Sequence, residues 1–218
     1  KFQLQKTEVK GKADFNSTCF KENTDWVNVT FEGRAVFEGA VFEDRAEFTD
    51  AHFLDEAVFN EVQFEGDFDM EEVGFEQAEF CDAKFEAKAN FSHAVFDELA
   101  DFTRSQFDHE ANFVDARFSR GADFDGVTFK GKGSFENTVF VRNGFFNEAK
   151  FHKTADFDKS DFHQHADFRG AIFEGSIEFR NANVISGAHF NYTEMKDRCD
   201  FGGSTFGVFN CVRSKISG

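Results

Sequence analysis

The sequence predicts an all-β fold: a square coil of short strands, a quadrilateral β-helix of about nine coils with a phenylalanine-filled core. Three observations carry that expectation. Phenylalanine supplies 36 of the 218 residues, while proline is absent. The phenylalanines recur at gaps that alternate between five and six, as at Phe124, Phe129, Phe135, Phe140 and Phe146. Two residues before each comes a smaller one: Ala35 before Phe37, Ala40 before Phe42, Ala122 before Phe124, Val127 before Phe129.

Neither helical nor strand periodicity yields gaps of five and six. A repeat does. Eleven-residue units run from Lys12 to about residue 208, eighteen in all. Within a unit the fourth and ninth positions are large. Trp26, Met70, Val184 and Met195 stand in where phenylalanine is missing. The residue between the small and the large one is usually polar, as with Asp101, Asn112, Asp123, Asp156 and Asp167. Small-in, polar-out, large-in is a three-residue strand. The two or three polar or glycine residues that follow are enough for a tight corner. Four near-right-angle corners close a coil of about two units, and stacked strands lie about 4.8 Å apart, giving a rod roughly 40 Å long.

Phe37, Phe42, Phe48, Phe53, Phe102, Phe107, Phe113, Phe118, Phe124 and Phe129 are therefore expected to form an axial ladder. Burying one phenylalanine is worth up to about 3 kcal/mol. One unit, AEFCDAKFEA at residues 78–87, has ten residues and alters a corner near Gln77 and Ala78. No linker interrupts the pattern, so one domain over residues 1–218 is expected, with repeats at about 12–208.

The net charge is −17, with basic residues gathered toward the ends at Lys1, Lys6, Lys10, Lys12, Arg213 and Lys215. Such a surface repels nucleic acid and anionic membrane, keeps a regular β surface soluble, and can attract a basic protein. No run approaches the roughly 20 apolar residues of a membrane span. Direct nucleic-acid binding and membrane insertion are not expected.

Outward polar residues should stack in columns. One runs Glu79, Asp101, Asp123, Phe145, Asp167, His189; another runs Asn90, Asn112, Ser134, Asp156, Glu178, Asp200. Stacked carboxylates raise one another's pKa unless cations intervene, which makes Ca²⁺ the one cation option against solvated surface acids. His152 and His163 fall one unit apart, on opposite sides of the rod, and with His165 read as surface histidines. No phosphate loop, zinc-protease motif or nucleophile elbow is present. A phenylalanine-filled rod offers no pocket, so no catalytic residue, cofactor or metal site is expected.

Of the four cysteines, Cys199 falls in a small inward slot, while Cys19, Cys81 and Cys211 should point outward or sit at corners. Cys19 and Cys211 belong to opposite ends and can pair only between rods stacked end to end; the alternative is a set of free thiols. Asn-x-Ser/Thr occurs at Asn16, Asn28, Asn90 and Asn191, all at outward or corner positions that tolerate glycans. Together with a chain that starts at Lys1, these point to an extracellular or cell-surface protein, the cytoplasm being the alternative. Val36, Val41, Val139 and Phe145 face outward as candidate lateral patches.

ADFNS at 13–17, ADFTR at 100–104, ADFDG at 122–126, ADFDK at 155–159 and ADFRG at 166–170 resemble the pentapeptide repeat family. The five/six alternation is similar to a phenylalanine-rich subgroup of it. The resemblance implies a right-handed quadrilateral β-helix. Its quinolone-resistance members mimic duplex DNA and bind type II topoisomerases. Two functions are expected, the first from the uncapped strand edges at the two ends of the coil and the second from the resemblance and the negative charge. The first is a structural rod that self-assembles, head to tail or laterally. The second is an acidic interaction module that occupies a basic groove on a topoisomerase or another DNA-binding protein.

Overall fold

A computed structural model describes residues 1–217. Its described residues contain strands and turns and no helix. The strands are almost all two residues long, and every pairing is parallel, joining residues about 22 apart. Four faces result, each a ladder of ten strands. Face 1 runs from Phe2–Gln3 to Cys199–Asp200, and face 4 from Cys19–Phe20 to Lys215–Ile216. Face 2 runs from Glu8–Val9 to Thr205–Phe206, and face 3 from Ala13–Asp14 to Phe209–Asn210. Faces 2 and 3 are continuous at two coils, where the strands His52–Val58 and Gly74–Glu79 turn the corner without a break.

The short unit lies here. Phe53 pairs with Phe75 but Glu56 pairs with Gln77, so the missing residue is absorbed by a bulge within the paired strands. The coil count is ten rather than the nine expected. Leu4 and Val9 occupy inward slots in the first coil and hide it from a phenylalanine count. At the other end the corner Gly207–Val208 is one residue short, so Ala188 pairs with Phe209 rather than with Asn210.

The two gap lengths have separate causes. Faces 1 and 3 end in a four-residue turn, such as Phe124 to Val127, closed by the Val127 amide donating to the Phe124 carbonyl at 3.2 Å. The third residue of that turn is left-handed at every repeat, with sixteen non-glycine residues, among them Ser17, Glu72 and Lys159 at φ 52–58°, and the glycines Gly39, Gly126, Gly170 and Gly203. A positive φ at that position defines a type II-like turn. Faces 2 and 4 end in a wider three-residue corner. Corners of successive coils there lie close enough that a Cβ on Gly131 would fall 2.2 Å from the His109 backbone.

The ladder phenylalanines Phe37, Phe42, Phe48, Phe53, Phe102, Phe107, Phe113, Phe118, Phe124 and Phe129 all lie in the core. Along one face the rings stack: Phe80, Phe102 and Phe124 follow one another at 4.8 Å. Across the axis, rings of faces 1 and 3 meet edge to face, Phe113 against Phe124 at 5.3 Å and 83°.

Candidate functional site: the outward columns

The pairing registers place Glu79, Asp101, Asp123, Phe145, Asp167 and His189 in one continuous outward column on face 3. Asn90, Asn112, Ser134, Asp156, Glu178 and Asp200 form another on face 1. Their chemistry begins locally. At ten of the tight corners the outward Asp or Asn accepts a hydrogen bond from the amide two residues on, for example Asp101 from Thr103 at 2.9 Å. The carboxylate or amide oxygen thus caps the turn, an Asx motif. The wide corners of faces 2 and 4 do not need such a cap, and their outward positions carry Thr30, Val41, Val95 or Arg117 instead.

The two columns differ in compensation. On face 1, Arg45 meets Glu47, Lys132 meets Asp156, and Arg198 meets Asp200. Asp156, Asp158 and Glu178 bring oxygens within 4.8 Å of one another. Arg180 reaches both Asp158 and Glu178, at 2.5 and 2.9 Å. Arg180 and Lys132 therefore place positive charge beside the carboxylates where Ca²⁺ was the one cation option. On face 3, Glu79, Asp101, Asp123 and Asp125 have no ion-pair partner among the described residues. Burial, together with neighbouring Asp125 and Asp101, pushes the Asp123 carboxyl up to about 6.

His152 and His163 stand on opposite corners of the rod, bound to Glu174 at 2.7 Å and Asp161 at 3.1 Å. His165 does not stand alone: its Nδ1 lies 3.1 Å from Nε2 of His189, one coil further on. That pair was not evident from sequence, because a corner residue reaches across to an outward one.

All four thiols are free. Cys19 is exposed on the first coil, and Glu43 beside it raises its pKa. Cys81 sits half-buried at a corner, pushed up to about 11 by burial. Cys199 occupies its small inward slot. Cys211 is a correction: it packs against the core in a large inward slot, because the short corner at Gly207–Val208 shifts the register. Asn16 and Asn28 are exposed at corners. Asn90 is half-buried and donates to Asp69 at 3.1 Å, and Asn191 accepts from the Val212 amide at 2.9 Å. Val36, expected as part of a lateral patch, is buried at 4% exposure; Val41, Val139 and Phe145 are partly exposed.

The end coils carry a pattern of their own. Phe2 and Phe209 sit in slots that are usually small. Phe2 lies against Phe15, Phe20 and Trp26, and Phe209 against Phe190, Phe201 and Phe206. In each case the neighbouring large slot holds something smaller, Leu4 or Cys211. The same exchange occurs inside the rod, where buried Phe68 accompanies Met70 between two ordinary coils.

This coil, with its capped tight corners and inward phenylalanines, is the architecture of a pentapeptide-repeat solenoid. The model for pentapeptide repeats (9 copies) matches residues 4–52, 48–95, 82–128, 113–161, 124–172, 135–183 and 168–214, and the chain belongs to that family. Among solved structures it is similar to HetL, a pentapeptide repeat protein involved in heterocyst differentiation regulation from the cyanobacterium Nostoc sp. strain PCC 7120. The identity is 13% over 98% of this chain and 86% of that one, with a TM-score of 0.36. It is also similar to two trypsin-treated forms of QnrB1, a plasmid-mediated fluoroquinolone resistance protein. One is 15% identical over 94% of this chain and 91% of that one, at a TM-score of 0.29. The other is 14% identical over 95% and 90%, at 0.28. No curated protein matches the chain.

Proposed function

We propose that this chain is a non-enzymatic structural rod that assembles by stacking the edge of its last coil on the edge of the first coil of another copy. The polarity of the hydrogen bonds carries this reading. On faces 1 and 3, amides donate forward to the next coil: Phe15 to Val36 and Phe37 to Val58, both at 2.7 Å. On faces 2 and 4 they donate backward: Arg117 to Ala94 and Val41 to Thr18, both at 2.9 Å. The edge of coil 10 therefore offers donors on faces 1 and 3, at Phe201 and Cys211, and acceptors on faces 2 and 4. The edge of coil 1 offers the opposite set. Head-to-tail contact with like faces aligned, or turned by half a revolution, satisfies all four; a quarter turn satisfies none. Such a heterologous contact propagates into filaments.

The Phe2 and Phe209 coils suit this role, because Phe68 and Met70 show that an exchanged pair stacks between ordinary coils. A Cys19–Cys211 disulfide does not suit it. In either aligned stack Cys211 faces inward on face 3, while Cys19 faces outward on face 4. This reading joins the rods by backbone pairing and not by the Cys19–Cys211 disulfide that the sequence left open against free thiols.

Electron microscopy and light scattering of the purified chain test the proposal. Filaments or concentration-dependent oligomers are expected, insensitive to reductant. Phe209→Lys puts a charge on a residue that is 44% exposed in the single rod. It should leave the monomer folded and abolish the oligomers. Monomeric rods at high concentration would overturn the assembly reading. They would favour a second reading, carried by the unpaired carboxylates of Glu79, Asp101, Asp123 and Asp125: docking against a basic protein surface, as on a DNA-binding enzyme.

A further inference from the structure

Near the end of face 3 the acidic column changes character. Phe145, Asp167, His189 and Asn210 follow one another outward, flanked at the corner by His165. With Asn143 and Arg169 they line an open groove of about 380 Å³. Asp167 is held by Arg169 through two contacts, at 2.7 and 2.8 Å, and is neutralised there. His165 and His189 have no carboxylate partner among the described residues.

The hydrogen bonds assign one proton arrangement to the pair. Nδ2 of Asn210 lies 3.0 Å from Nδ1 of His189 and can only donate, so that nitrogen carries a lone pair. The His189 proton is then on Nε2, and it donates to Nδ1 of His165 at 3.1 Å. His165 is left with its own proton on Nε2. Two imidazole nitrogens therefore face one another across a gap with a single proton between them.

We propose that His165 Nδ1 and His189 Nε2 form a two-imidazole site for a borderline divalent transition cation such as Zn²⁺, Ni²⁺ or Cu²⁺. Distance is the first argument. Two nitrogens each about 2.0–2.1 Å from a metal lie roughly 2.9 Å apart at a right angle and roughly 3.4 Å apart at the tetrahedral angle. The observed 3.1 Å falls between them. Ligand type is the second: imidazole suits these ions, whereas Ca²⁺ requires hard oxygens.

Access is the third. The corner residue one coil beyond His165 is Gly187, where a Cβ would sit 3.5 Å from Nε2 of His189. The glycine leaves the space beside His189 Nε2 free of a side chain, and both rings line the groove, so the remaining coordination positions open into it for water or an added ligand.

Binding balances without releasing a proton. The metal takes the lone pair of His165 Nδ1 and replaces the proton on His189 Nε2. That proton moves to His189 Nδ1, changing the tautomer of a ring that stays neutral. Asn210 then rotates its amide so that Oδ1 accepts from Nδ1–H. Asn210 is thus a positioning residue, the kind of outer partner that orients a ligating histidine.

Calorimetric titration of the full chain with NiCl₂ tests the site. The four thiols are common to every variant, so differences between variants report on the histidines. Wild type should bind one Ni²⁺ with an affinity that falls at least tenfold in His165→Ala and in His189→Ala. It should be unchanged in His152→Ala, which removes a histidine on another corner. Asn210→Ala should weaken binding by about tenfold, the effect typical of an outer-shell partner. His165 is exposed, so His165→Gln keeps the fold available should His189→Ala not fold. Equal binding by wild type, His165→Ala and His165→Gln, or no Ni²⁺ binding by wild type, overturns the assignment.

Discussion

The rings of Phe64 and Phe68 approach to 3.9 Å between centroids, closer than any other aromatic pair among the described residues. Phe68 occupies a slot that holds alanine in the coils on either side, Ala46 and Ala89. Its ring fits because the large slot two residues later holds Met70, an unbranched and adaptable side chain.

This exchange predicts strong coupling between the two positions. Phe68→Ala should cost about 3–5 kcal/mol through the cavity it leaves. Met70→Phe should cost about 1–3 kcal/mol by overpacking. The double variant restores the pattern of the other coils and should unfold near wild type. Chemical unfolding of the four proteins measures the coupling, and simple additivity of the two costs would refute the exchange.

Asp123 predicts a pH dependence. Folding raises its pKa from 3.8 to about 6, so the folded chain holds this proton more tightly than the unfolded chain. The carboxylate therefore costs stability at pH 7; the cost shrinks as pH falls through 6 and is gone below 3.8. Asp123→Asn keeps the cap on the Asp125 amide, as Asn90 and Asn112 do on their own turns. Allowing for solvent screening, it should stabilise by on the order of 1 kcal/mol at neutral pH. Melting curves from pH 7 to 4 should converge for the two proteins. A gap that persists at pH 4 would assign the effect to something other than this titration.

The left-handed corners predict opposite outcomes at one site. Glu72 has φ 58° at the third position of its turn, and it is exposed. That conformation costs a non-glycine residue about 1–2 kcal/mol. Glu72→Gly removes the strain but adds about 0.5–1 kcal/mol of unfolded-chain entropy, for a net gain of up to about 1 kcal/mol. Glu72→Val places a β-branched side chain where it fits worst and should lose at least about 1 kcal/mol. Equal melting temperatures for the two variants would mean that the corner relaxes.

Most of the rod was legible because its information is local. The alternation of Ala122, Asp123 and Phe124 sets what points inward, and the gap to Phe129 sets the corner. What escaped depends on register across coils. A single missing residue at Gly207–Val208 carries Cys211 from outside to inside. Leu4 and Val9 fill phenylalanine slots without the signature residue. The contact between His165 and His189 spans 24 residues, two more than the coil repeat, and only the corner geometry brings the rings together. The function of the outward Asp or Asn was local, an acceptor for the amide two residues on, yet its reason appears only once the turn is known to be tight.

Gly144 separates the repeat pattern from the packing. Its slot holds Ala122 in the coil before and Ala166 in the coil after, so the pattern alone favours alanine there. Yet a Cβ on Gly144 would meet Cε1 of Phe162 at 2.6 Å and Cδ1 of Phe140 at 3.2 Å. Both rings are fully buried and stack on one another at 4.4 Å, so neither can move without disturbing the ladder. Gly144→Ala should therefore destabilise by about 1–3 kcal/mol. Gly133 occupies the equivalent small slot on face 1, where the nearest ring atom to a Cβ is Cε1 of Phe151 at 3.3 Å. A shift of a few tenths of an ångström suffices, and the lost entropy of the unfolded chain works in alanine's favour. Gly133→Ala should be neutral or slightly stabilising. Measured side by side, a higher melting temperature for Gly144→Ala than for Gly133→Ala would show that the face 2 rings Phe140 and Phe162 yield more readily than their stacking implies.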